Sequence, residues 1–197
     1  MGNFSDFFAS SSGNNILEMI SCVPDGRSIT VPSGTYTLQS NTDRQEFAST
    51  YGDLRGSTIT NYTPPDGTKY LKYEYTFQMS GRNSSSNYYG ISHFRLYVGS
   101  DEIVEAYKTY SGQYYSTYGY NVQQFSVGYV FDLTAATNDV SKGKFSDWTD
   151  ARTIKIQARK YNNNYRSTAH ANIWRDGTGT SGVFNQTKPL LTLIAYS

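Results

Sequence analysis

Cysteine and histidine are nearly missing from this chain: Cys22 stands alone, and His93 and His170 are the two imidazoles among 197 residues. A lone cysteine excludes an intrachain disulfide framework. Its position in the apolar run from Ile16 to Val23 reads as that of a small buried thiol. Two histidines without a cysteine pair are too few for an ordinary metal site, so neither a metal nor another cofactor is expected. Excess charge is missing as well. Lys and Arg number 17 against 16 Asp and Glu, a net charge of +1. No basic surplus is there to neutralise phosphates or grip anionic lipid, which argues against nucleic acid or membrane as a partner. No apolar run approaches the roughly 20 residues that span a bilayer. The start, Met1 to Asn15, has neither a basic segment nor an apolar signal core, so synthesis in a cytoplasm is the expectation.

The catalytic inventory is equally thin. Ser92 adjoins His93, but neighbours on a strand point to opposite faces and cannot form the hydrogen bond that activates a hydroxyl. His170 could share a face with Thr168 and Asn172, yet no nucleophile-elbow context surrounds it. Asp101, Glu102 and Glu105, and Asp147 with Asp150, match no calcium-loop spacing, and as acid/base pairs they are generic. The Gly-rich stretch Asp176 to Gly182 lacks the Lys-Ser/Thr ending of a phosphate loop and reads as a hairpin loop. A non-enzymatic protein is expected.

What the chain does have is tyrosine: 19 Tyr and 10 Phe, with aromatics at 16% against 17% charged residues. The mean hydropathy of -0.58 is low for a globular protein. Disorder does not follow, because tyrosine takes over core positions that Leu and Ile usually fill, and it suits a half-buried pleated sheet.

The punctuation from Ile16 onward is that of an all-β protein, with short apolar runs between clusters such as Pro24-Asp25-Gly26 and Pro64-Pro65-Asp66-Gly67. Lys69 to Met79 alternates strictly, placing Leu71, Tyr73, Tyr75, Phe77 and Met79 on one face. Ser92 to Val98 puts Phe94, Leu96 and Val98 inward, and a turn at Gly99-Ser100-Asp101 leads into a partner strand from Glu102 to Tyr110. Gln123 to Leu133, Thr153 to Lys160 and Ala169 to Trp174 read as further strands. The final run, Pro189 to Ser197, is apolar on both faces: Leu191, Leu193 and Ala195 on one, Leu190, Ile194 and Tyr196 on the other. A strand covered on both sides at the end of a chain predicts a subunit interface through Leu190, Ile194 and Tyr196. Eight to ten strands and one helical candidate, Asn41 to Tyr51, in which Thr42 could cap and Glu46 reach back, favour a two-sheet antiparallel jelly-roll sandwich over residues 16–197. Residues 1–15 form a separate tail. There Phe4, Phe7 and Phe8 have the spacing that lines one face of a helical turn, so they could anchor the chain on a partner. A frayed terminus or a first strand fits the segment as well.

The run Tyr62 to Phe77 (Y-T-P-P-D-G-T-K-Y-L-K-Y-E-Y-T-F), the run Gly90 to Val98 (G-I-S-H-F-R-L-Y-V) and the last strand, Leu190 to Tyr196, resemble the C1q/TNF-like jelly rolls. The closest resemblance is to the short, tyrosine-rich versions on virus and phage particles, which serve as fibre knobs or capsid decorations. It implies a homotrimer packed through its inner sheets around a three-fold axis, located on the virion surface. The chain departs from the pattern at its start, where no collagen-like or coiled-coil stalk appears, and this favours a knob attached directly to a larger assembly through the Phe-containing tail.

Three polar stretches look like recognition loops. The richest is Tyr107 to Tyr120 (Y-K-T-Y-S-G-Q-Y-Y-S-T-Y-G-Y), in which Tyr110, Tyr114, Tyr115, Tyr118 and Tyr120 alternate with small polar residues; Tyr supplies contact area at low entropic cost while the small residues adapt their hydrogen bonds. Ser80 to Tyr89, with Tyr88 and Tyr89, and Tyr161 to Arg166, with Tyr161 and Tyr165, have the same character. If the three lie at one end of the sandwich they form a site for a host glycan or protein; the competing reading packs many of these rings along strands or at the trimer interface. The expected function is therefore a trimeric virion knob or decoration serving host attachment or capsid stability. The alternative is a carbohydrate-binding module or glycan-active enzyme using Asp147 or Asp150, and a purely structural cement needs no receptor at all.

Overall fold

A computed structural model describes residues 15–83, 90–112, 120–163, 165–171 and 186–197. Thirteen strands follow in chain order: β1 (Ile16–Cys22), β2 (Ser28–Val31), β3 (Gly34–Thr37), β4 (Gln45–Glu46), β5 (Gly52–Asp53), β6 (Ile59–Tyr62), β7 (Tyr70–Asn83), β8 (Ile91–Val98), β9 (Asp101–Ser111), β10 (Tyr120–Asp132), β11 (Arg152–Lys160), β12 (Tyr165–Ala169) and β13 (Leu190–Tyr196). A single 3-10 turn, Val140–Lys142, interrupts them among the described residues. The period-two alternation read from the sequence is what shapes the longest of these. On β7, Leu71, Tyr73, Tyr75, Phe77 and Met79 are all buried, while the residues between them reach the surface. On β8 and β11 the buried sets are Phe94, Leu96 and Val98, and Ile154, Ile156 and Ala158.

Two antiparallel sheets enclose this core. In the first, β1 pairs with β13, β13 and β12 pair with the lower and upper halves of one edge of β7, and β10 runs along the other edge. In the second, β5 and β6 share one edge of β11, which pairs with β8, and β8 with β9. Set aside β2 to β5 and β12, and number the remaining eight in chain order. One sheet then reads first, eighth, third, sixth, and the other second, seventh, fourth, fifth. That order is consistent with a two-sheet jelly roll. The strand count exceeds the expected eight to ten because β2 to β5 are each only two or four residues long.

The segment expected as a helix, Asn41 to Tyr51, is not helical. Backbone partners from distant strands claim it instead: Gln45 and Glu46 pair with β12, the Phe47 amide donates to the Ser167 carbonyl at 3.0 Å, and the Lys160 amide donates to the Ala48 carbonyl at 2.9 Å. These bonds tie the two sheets together at one end. Cys22 is half-buried rather than enclosed, and burial pushes its thiol pKa up.

Tyrosine in the core brings hydroxyls that must find acceptors. Tyr75 Oη donates to the Arg55 carbonyl at 2.7 Å, and Tyr73 Oη donates to the Ser57 carbonyl. Both acceptors belong to the turn around Gly56, where φ is +78° and a Cβ would lie 2.7 Å from Tyr75 Oη. Tyr62 Oη donates to Glu18 Oε1 at 2.9 Å, and the Ser33 amide and hydroxyl donate to the same carboxylate at 2.8 and 2.9 Å. Glu18 points inward because a bulge between Ile16 and Glu18 shifts the register of β1 against β13.

Two changes at the Gly56 turn test this arrangement. Gly56→Ala combines a left-handed backbone with the Tyr75 clash and should cost about 2 kcal/mol or more, while Tyr75→Phe loses one hydrogen bond, about 1 kcal/mol. Urea unfolding of the double variant should show less destabilisation than the two single losses added together, since the clashing oxygen is gone; strict additivity would contradict the geometry.

Candidate functional site

Strand register gathers the roots of the three polar loops at one end. Asn83 of β7 pairs with Tyr165 of β12, and Arg82 pairs with Tyr120 of β10. In the other sheet Ile91 pairs with Ser111 and Ser92 with Lys160. The Tyr161 amide donates to the Ile91 carbonyl, and the Gly112 amide to the Gly90 carbonyl, each at 2.9 Å. The segments 84–89 and 113–119 and residue 164 therefore leave from neighbouring points.

The expected contact residues divide. Tyr161 stands at this end, 51% exposed. Tyr120 and Tyr165 are the first residues of β10 and β12. Tyr88, Tyr89, Tyr114, Tyr115 and Tyr118 lie outside the described residues, as do Phe4, Phe7 and Phe8. Tyr110 is a correction: it is only 2% exposed, and its ring meets Phe125 edge-on at 5.6 Å. It belongs to the core, where burial pushes its phenol up to about 12. The reason is a register shift opposite β8, which breaks the alternation of β9 so that Ile103, Ala106 and Tyr110 are its buried residues.

The first and last described residues meet at the opposite end. The Ser197 amide donates to the Asn15 carbonyl at 2.9 Å, and the Lys69 amide to the Tyr196 carbonyl at 2.7 Å. The length of β7, 14 residues, separates this end from the loop roots, roughly 40 Å of extended chain.

The outer face of the first sheet is mixed, with exposed apolar side chains set among polar ones such as Lys72 and Glu74, which pair at 2.8 Å. Register aligns Met19, Ile194, Lys72 and Val130 in one row across β1, β13, β7 and β10, with Ile16, Tyr196 and Tyr70 in the row beside it. Ile16, Met19 and Val130 are each more than half exposed, and Leu190, on the same face, is 43% exposed. Ile194 and Tyr196 are half-buried. The final strand thus buries Leu191, Leu193 and Ala195 inward and presents Leu190, Ile194 and Tyr196 outward, on the two faces read from the sequence.

Of the acidic candidates, Asp147 lines a cleft of about 270 Å³ together with Asp66, Pro64 and Trp148, near the terminal end. Asp150 does not line it. Among the described residues no group of His, Cys, Asp and Glu is arranged to hold a metal ion. Ser92 is buried while His93 faces outward, as opposite faces require, and His93 Nδ1 lies 3.1 Å from Thr109 Oγ1. His170 is fully enclosed at φ +64°, between the rings of Tyr75 and Phe77, and neither ring nitrogen has a hydrogen-bond partner. It has no access to a substrate.

A further cluster was not legible in the sequence, because its members are far apart along the chain. On the outer face of the second sheet the Arg95 guanidinium sits 4.1 Å over the Tyr51 ring and that of Arg159 sits 5.1 Å from it. Beside them His93 stacks on Tyr107 at 5.9 Å and lies 6.0 Å from Tyr161. Burial raises the Tyr51 phenol, but the nearby Tyr107, Arg159 and Arg95 groups together outweigh it and leave its pKa below the ordinary value. Neither a protein-family model nor a curated protein matches the chain.

His170 makes stability pH-dependent. Burial holds its pKa down to about 4, against an ordinary value of 6.5. The unfolded chain therefore binds the proton first as pH falls, so this stability is complete above pH 6.5 and is lost between there and pH 4, a total of about 3 kcal/mol. His170→Asn, which tolerates the left-handed backbone, should remove this component. Urea midpoints at pH 7 and pH 4 should fall further for the wild type than for the variant, and equal falls would refute the assignment.

Proposed function

We propose that this chain is a non-enzymatic surface protein of a virion, a trimeric jelly-roll knob or capsid decoration that contributes to host attachment or to capsid stability. The observation that carries the reading is the group of exposed apolar side chains on the outer face of the first sheet. Ile16, Met19, Val130 and Leu190 stand in water there in a single chain, and exposed apolar side chains gathered on one sheet face suit a contact with another protein. Three copies packed around an axis would cover it, with Ile194 and Tyr196 at the centre. The virion setting rests on the resemblance to tyrosine-rich particle proteins. What supports it in the geometry is the polarity of the molecule: the chain leads into its Phe-containing tail at the end holding Asn15 and Ser197, and the polar loops leave from the other. A tail docked on other capsid components would then direct those loops toward a host glycan or protein.

A second reading, a carbohydrate-binding or glycan-active sandwich, draws on the cleft that holds Asp66, Asp147 and Trp148. Loss of glycan turnover in an Asp147→Asn variant would favour it.

Sedimentation equilibrium tests the first reading. At micromolar concentration the wild type should run at three times its chain mass of 22.1 kDa, and Met19→Lys with Ile194→Lys should run as a folded monomer that still unfolds cooperatively, at a lower midpoint because the stabilisation from association is gone. A wild-type monomer would overturn the trimer.

A further inference from the structure

The outer face of the second sheet carries two guanidinium groups over one aromatic ring. Tyr51 reaches onto this face just ahead of β5, Arg95 comes from β8 and Arg159 from β11. Arg95 has a carboxylate neighbour in Glu102, at 3.3 Å. Arg159 has none within ion-pair distance among the described residues. Segments 84–89 and 113–119, which leave from the same end, read S-S-S-N-Y-Y and Q-Y-Y-S-T-Y-G and contain no acidic residue. Among the described residues the two partly exposed guanidinium groups thus have one ion-paired carboxylate between them, that of Glu102.

Tyr51 Oη, Arg95 Nε and Arg159 Nε are buried without a hydrogen bond of normal geometry. Next to them His93, Tyr107 and Tyr161 form a shelf of rings; Tyr107 is 41% and Tyr161 51% exposed. Burial, with help from Arg159 and Arg95, holds the His93 pKa down, so the imidazole is neutral near pH 7 and can donate or accept a hydrogen bond. A guanidinium binds a carboxylate or sulfate through paired N–H donors, and a flat aromatic shelf suits the C–H face of a sugar ring.

We infer that this face is a binding site for an anionic saccharide, with Arg159 and Arg95 holding its carboxylate or sulfate and Tyr107 and Tyr161 carrying its ring. The site deepens the attachment reading by naming a ligand class, and it rests on that reading only for its biological purpose. It lies within one chain, so binding of a monovalent sugar is readable whether or not the protein trimerises.

Calorimetric titration of the full chain with sialyllactose, a sulfated lactose and plain lactose tests the inference. One or both acidic sugars should bind at least about tenfold more tightly than lactose; which of them does so distinguishes carboxylate from sulfate. Arg159→Gln should erase that preference, Arg159→Lys should restore part of it, and Tyr107→Ala should weaken the acidic sugars without removing their advantage over lactose. Lys155→Gln, which alters the charge elsewhere on β11, should leave binding unchanged. Several results would overturn the site: no binding of either acidic sugar at millimolar concentration, equal binding of lactose, equal binding of an oligoglutamate peptide, or full affinity in a folded Arg159→Gln variant. Because sedimentation reports the trimer separately, loss of binding in an intact trimer refutes this site alone.

Discussion

A core built from tyrosine buries hydroxyls that need acceptors, and the bonds that Tyr62, Tyr73 and Tyr75 make organise much of the molecule. An unpaired buried hydroxyl costs about 1–3 kcal/mol, so several such groups left alone would consume much of the stability of a domain this size. The fold answers with its connections. Tyr73 and Tyr75 reach across the sandwich from β7 to the carbonyls of the 55–57 turn, and Tyr62 reaches from β6 to the Glu18 carboxylate. Segments that would otherwise be free loops become part of the core because they hold acceptors. Tyr110, whose hydroxyl is buried without a partner, lies in the part of the core nearest the loop roots.

The same requirement explains how much could be read in advance. Where a strand is long and unbroken, as in Lys69 to Met79 or Ser92 to Val98, period two alone assigns every side chain to a face, and the structure agrees at each position. Bulges defeat that reading. The shift on β9 turns Tyr110 inward, and the shift on β1 turns a glutamate into the core. Short strands defeat it in another way: β4 and β5 form by pairing with the distant β12 and β11, and the Gln45 side chain links them, its amide donating to the Asp53 carbonyl at 2.9 Å and its oxygen accepting from the Arg55 amide at 2.8 Å. No local pattern in Asn41 to Tyr51 announces that, and the capping pair Thr42 and Glu46 suggested a helix. The gathering of the loops was anticipated only as a condition; register supplies it, pairing residues more than 80 positions apart, Asn83 with Tyr165.

The outer faces of the two sheets differ in kind, and this gives the sandwich a direction. Small hydroxyl residues such as Ser126 and Thr192 separate the apolar rows on the first, which suits close approach of another chain. The second carries arginines over an aromatic ring, Glu102 within reach of Arg95 and Tyr97, and Asp53 bonded to Lys155 and Gln157. Such a face keeps its hydration, and burying it against a copy of itself would set like charges together.

These two properties reinforce one another. A trimer closed around the first sheet leaves the second sheet of every copy outward, so three equivalent cationic and aromatic faces would point away from the axis near the loop-bearing end. One guanidinium pair and two rings offer few contacts, and the association of a single sugar with them is weak by the usual limit on energy per atom. Three such faces on a rigid body change the arithmetic, since the second and third contacts with a polymeric surface become intramolecular and avidity can exceed a single affinity by about 10²–10⁴. In the proposed trimer the two sheets would serve one end: the first would fix the number and orientation of copies, and the second would need that number to hold a surface it grips only loosely one site at a time.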